Sequence, residues 1–105
     1  MQLISSKMRR WLPSGFPGVR MSQLHGGEEG GGTVLLEFAA GAEFPAHDHV
    51  AGEELYVVEG SAVVGSSQLA AGDYLWTPAG EIHGVRSETG ALLIVHTARG
   101  IRVIE

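Results

Sequence analysis

The sequence contains no cysteine. That absence excludes disulfides, thiolate zinc sites and a cysteine nucleophile, and it favours a cytosolic setting over an oxidising one. Basic residues are also scarce, with seven Lys and Arg against twelve Asp and Glu and a formal net charge of -5. Lys7, Arg9 and Arg10 cluster at one end, so too few cations remain elsewhere to track a phosphate backbone, and no nucleic-acid partner is expected. No apolar run approaches the length needed to cross a bilayer, and the opening MQLISSKMRR lacks the apolar stretch of a signal peptide. The expectation is a soluble, cytoplasmic protein with no membrane partner. Long amphipathic helices are missing too, because no segment sustains apolar residues at i, i+3, i+4 and i+7 over three turns.

What is present is punctuation. Sixteen glycines and four prolines in 105 residues separate short apolar runs that suit strands: residues 18–24, 33–39, 43–49, 54–60, 61–65, 73–77, 83–87 and 91–97. About eight short strands divided by turn residues predict an all-β sandwich or barrel of antiparallel strands. The length predicts one domain, 11–105, preceded by an arm at 1–10; a domain of roughly 100 residues buries a core without metal or disulfide staples. Folding alone therefore gives no reason to expect a metal. The run HGGEEGGG at 25–32 is read as a surface hairpin loop rather than a phosphate cradle, since no helical pattern follows it.

The chemistry concentrates in GAEFPAHDHVAGEELYVVEG, residues 41–60. Alternate side chains of a strand share a face, which puts His47 and His49 side by side with Cα atoms roughly 6.5 Å apart. Two imidazoles can then converge on one ion, because metal–nitrogen bonds are about 2.0–2.1 Å. Glu53 shares their parity if the strand is continuous, whereas a bend or bulge at Gly52 would turn Glu54 inward instead. Parity leaves that choice open. Further on, GDYLWTPAGEIHGVRS at 72–87 predicts a tight turn at Pro78-Ala79-Gly80 that returns His83 at the start of the next strand.

These two stretches resemble the two motifs of the cupin superfamily, G-x5-H-x-H-x3,4-E-x6-G and G-x5-P-x-G-x2-H-x3-N. The first is met by Gly41, His47, His49, Glu53 and Gly60, and the second by Gly72, Pro78, Gly80 and His83. Ser87 stands where the second pattern ends in Asn, a position that is not a metal ligand, so only strand-end hydrogen bonding is put in question. The motif spacing selects Glu53 over Glu54. Within the superfamily, Trp11, Pro17 to Val19, and the stretches HDHVAGEELYVVEG and AGDYLWTPAGEIH are similar to the cupin domain of the ChrR-type anti-sigma factors. The resemblance implies a jelly-roll β-barrel holding one divalent ion through His47, His49, Glu53 and His83. Anti-sigma activity in that family belongs to a separate cysteine-containing helical domain.

Neutral imidazoles and a carboxylate suit zinc, iron, manganese, nickel or copper alike. Two functions fit the resemblance: a metal-dependent oxygenase of small organic molecules, and a ChrR-like sensor or small-ligand-binding module. A metal-free binder fits less well with all four ligand positions intact. A homodimer is expected, because exposed sheet edges need covering. His96 in LLIVHT is read as a hydrogen-bonded core or rim histidine, and His25 as solvated. Phe38, Phe44, Tyr74 and Trp76 are read as core, with a pocket wall as the alternative.

Overall fold

The computed structural model describes residues 1–104, so position 105 of the expected domain lies outside the described residues. Among the described residues a 3-10 turn at Ser6–Met8 is followed by ten strands: β1 (Leu12–Pro13), β2 (Val19–Gly26), β3 (Gly32–Phe38), β4 (Glu43–His49), β5 (Glu53–Val64), β6 (Ser67–Ala70), β7 (Tyr74–Thr77), β8 (Ile82–Arg86), β9 (Ala91–Thr97) and β10 (Ile101–Val103). Every pairing between them is antiparallel. Along the sheet the order is β1-β2-β3-β9-β5-β8-β4-β10, with β6 and β7 also on β5. The sheet curls on itself into a barrel, one of the two architectures that the spacing of turn residues predicted, and of the jelly-roll type that the cupin resemblance implied.

Strand β5 joins the two walls. Its first half pairs with β7 and β9, and its second half with β6 and β8. In the first half Glu53, Leu55 and Val57 are buried, whereas in the second the buried positions are Ala62 and Val64. The parity changes because a register shift falls between Val57 and Glu59, and one extra residue moves every later side chain to the other face. Gly60 marks the corner, with φ +76° and a backbone so close to Gly90 that a Cβ would lie 2.0 Å from the Gly90 carbonyl oxygen. Only glycine meets both demands there. The sequence suggested two strands, 54–60 and 61–65, where the chain makes one bent strand.

Three short strands were not anticipated. β1 is two residues, the second of them Pro13, β6 is the four-residue run SQLA with only two apolar residues, and β10 is a three-residue run, Ile101–Val103. The glycine-rich run does form a hairpin, with β2 and β3 meeting at Gly26 and Gly32. The core lies between the walls and includes Val19, Phe38, Leu55, Val57, Val64 and Leu93. At the Asn position of the second motif, Ser87 is buried. Its Oγ donates to the Ser61 carbonyl at 2.6 Å, and its backbone exchanges bonds with Gly41 and Ala42. Serine thus satisfies this strand end.

Candidate metal centre

Strands β4 and β8 set His47 directly opposite His83. His49 follows two residues on, at the end of β4, and Glu53 opens β5. The chain between them turns at Gly52, where φ is +89°, so strand parity does not connect His49 to Glu53; the turn itself aims the carboxylate inward. All four side chains are buried, and one ligand atom from each lies within 4.8 Å of the others. Glu53 Oε2 is 3.2 Å from His49 Nε2 and 4.0 Å from His47 Nε2, and Oε1 is 3.6 Å from His83 Nε2. Glu54 points outward and accepts a hydrogen bond from the Tyr74 hydroxyl at 2.9 Å.

Backbone carbonyls orient two of the rings. His47 Nδ1 donates to the Pro45 carbonyl at 2.8 Å, and His49 Nδ1 to the Glu81 carbonyl at 3.1 Å. These bonds place the proton on Nδ1 and leave each Nε2 lone pair facing the cluster. The first carbonyl comes from the irregularity between Phe44 and His47 in the β4–β8 ladder. The second comes from the turn at Pro78, closed by Glu81 N–H to the Pro78 carbonyl. Burial pushes the His47 pKa down, helped by His49 and His83, against the opposing pull of the Pro45 carbonyl and Glu53. A depressed pKa keeps the imidazole neutral, the state in which it ligates metal.

The donors fit a divalent ion. His49 Nε2 and His83 Nε2 are buried without a hydrogen-bond partner; the close approach of Glu53 to His49 is not aligned as a hydrogen bond. Buried polar atoms left unpartnered cost free energy, and a cation among three nitrogens and a carboxylate would satisfy them. His47 and Glu53 also border a cavity of about 410 Å³ whose walls are mostly apolar.

Other expectations resolve differently. His96 is exposed and its Nδ1 lies 2.9 Å from Thr33 Oγ1, which makes it a hydrogen-bonded surface histidine outside the cavity. His25 is exposed. Phe38 is core and Phe44 a cavity wall, but Tyr74 and Trp76 are over half exposed, at 56% and 54%. They are not core because their strand β7 alternates, and Thr77 rather than Trp76 faces inward. The cavity walls from β3 and β9 were missed as a site, although the alternation of Val34 and Leu36, and of Leu93 and Val95, carries the signal.

A curled antiparallel barrel with three histidines and a glutamate facing its interior defines a cupin. Residues 1–99 match the ChrR cupin-like domain, and the chain belongs to that family. It is 38% identical over 60 residues to the DNA damage-repair/toleration protein DRT102 of Arabidopsis thaliana, a match covering 51% of this chain and 19% of that protein. The chain thus spans about a fifth of that curated relative. Among solved structures, an acetylacetone dioxygenase from Acinetobacter johnsonii superposes with a TM-score of 0.85 at 20% identity, over 100% of this chain and 77% of that one. The Rhodobacter sphaeroides complex of SigE with the anti-sigma ChrR gives a TM-score of 0.78 at 25% identity, over 89% of this chain and 50% of that one.

Proposed function

We propose that the chain holds one divalent metal ion through His47, His49, Glu53 and His83 and acts as a metal-dependent oxygenase of small organic molecules. The observation that carries this reading is the opening of the buried cluster onto an apolar cavity. A bound ion would supply Lewis-acid or redox chemistry at the cavity's inner end. The chain's own part is to present three neutral imidazole nitrogens in fixed orientation, to contribute one carboxylate charge, and to keep water out with apolar walls. Iron(II)-loaded protein is expected to consume dioxygen with a diketone, thiol or phenol, and zinc-loaded protein is not, because zinc has no redox chemistry. Equal turnover with zinc would replace oxygenation by Lewis-acid chemistry.

Family membership supports a second reading, a non-enzymatic ChrR-like sensor or small-ligand-binding module. Absence of turnover with either metal across that panel would favour it. A cytoplasmic homodimer belongs to both readings. The exposed Tyr56, Tyr74 and Trp76 form an apolar surface suited to covering by a second copy. Light scattering that reports a monomer at tens of micromolar, an order-of-magnitude working range, would remove the dimer.

A further inference from the structure

We infer that the cavity selects a compact molecule with a largely apolar body and rejects one whose body carries an anionic group beyond the end held at the metal cluster. The inference rests on the metal-binding reading of the cluster and concerns what the rest of the cavity does. Its volume of about 410 Å³ lies toward the lower end of small-molecule sites, roughly 300–1,000 Å³. Met21, Val34, Leu36, Phe44, Leu93 and Val95 supply apolar wall, and beyond His47 and Glu53 the polar side chains are Gln23 and Thr97. Among the described residues no lysine or arginine lines it.

Three arginines next in sequence to lining residues have carboxylate partners that do not line the cavity. Arg20 pairs with Glu37 and stacks over Trp11 at 4.4 Å, Arg99 bonds Glu29 at 2.6 Å, and Arg102 bonds Asp48 at 2.9 Å. The Glu29–Arg99 pair joins the glycine-rich hairpin to the turn after β9. There Gly30, Gly31, Gly32 and Gly100 form part of the cavity boundary. The hairpin is pressed so closely on the end of β9 that a Cβ on Gly31 would lie 2.0 Å from the Thr97 carbonyl oxygen. This boundary offers backbone and no charge. A second carboxylate or phosphate inside would lose its hydration against apolar wall with no cation to compensate it, and Glu53 would repel it. An apolar body gains by leaving water.

Zinc-loaded protein, which is redox-silent, tests this by calorimetric titration with acetohydroxamate, benzohydroxamate and 4-carboxybenzohydroxamate. The three share one donor head and differ in the body presented to the cavity. Benzohydroxamate is expected to bind at least tenfold tighter than acetohydroxamate and at least tenfold tighter than its carboxylated analogue. Equal or tighter binding of the carboxylated compound would overturn the inference. So would zinc retained at one equivalent with none of the three bound, an outcome that leaves the metal reading standing. Failure to retain zinc would remove the metal reading and the inference with it. Ile101→Arg places a cation at a cavity-lining position that is 39% exposed. It should improve binding of the carboxylated probe about tenfold with zinc content unchanged; an unaltered preference would overturn the inference.

Discussion

Glu53 and Glu54 are chemically equivalent neighbours on β5, and the barrel gives them opposite environments. Glu53 is 4% exposed and faces three imidazoles, whereas Glu54 lies on the exposed outer face beside Tyr74 and Trp76. The inward row continues with Leu55 and Val57, and the outward row with Tyr56. One strand therefore separates a dry face, where a charge must be matched by fixed partners, from a wet face where water serves any carboxylate. The difference teaches that the residue type did not decide the chemistry; the turn at Gly52 did, by setting which carboxylate points inward.

The largest test of that contrast is metal-linked stability. A ligand that binds only the folded state at a hundredfold excess over its Kd stabilises it by about 2.7 kcal/mol, so adding zinc to stripped protein should raise Tm by several degrees. His47→Ala, His49→Ala or His83→Ala should abolish the rise, and Glu53→Gln should weaken it markedly, as read by thermal melts with and without zinc. A rise that survives loss of all three histidines would place the metal elsewhere.

Gly52→Ala attacks the turn that separates the two faces. A Cβ there would lie 2.5 Å from the Trp76 ring, and a left-handed conformation costs a non-glycine residue about 1–2 kcal/mol. Urea denaturation should show at least that loss, and Trp76→Ala in the same chain should recover the part due to the clash.

Acid should act on the inward face through His47. Its pKa is lowered on folding, so the unfolded chain takes up the proton first. Stability of the metal-free protein is full above the ordinary histidine value of about 6.5 and falls as pH drops from there toward the lowered native pKa. Denaturation midpoints across that window should fall less steeply in His47→Ala. Smallest of all, Glu54→Gln removes one exposed carboxylate and should change stability by no more than about 0.5 kcal/mol, with the zinc response intact. A zinc response lost in Glu54→Gln and kept in Glu53→Gln would reverse the two faces.

Much of this was legible in the sequence. The histidine spacing and the turn at Pro78 were visible because both are local: one depends on strand alternation, the other on the backbone preferences of proline and glycine. The position of Glu53 was not decidable from parity, since His49 and Glu53 sit on different strands joined by a turn; only the motif spacing pointed to it. The cavity was less visible because its walls come from β1, β2, β3, β4, β5, β8, β9 and β10, and no single stretch announces a space that all of them enclose. The outward placement of Tyr74 and Trp76 was missed for a related reason, because a four-residue strand carries too little alternation to say which face is inside.

The bent strand β5 also bears on the order of events in folding. It is hydrogen-bonded to β9 and, beyond its corner, to β8, so both walls depend on pairings distant in sequence. Topologies dominated by such pairings fold slowly, in milliseconds to seconds for small β domains. His83 reaches His47 only when β8 has docked on β4, so the complete ligand set depends on a non-local pairing and is expected late in assembly. An ion that grips only that finished set acts after the folding barrier. Zinc is then expected to lengthen the lifetime of the native state while leaving the refolding rate nearly unchanged.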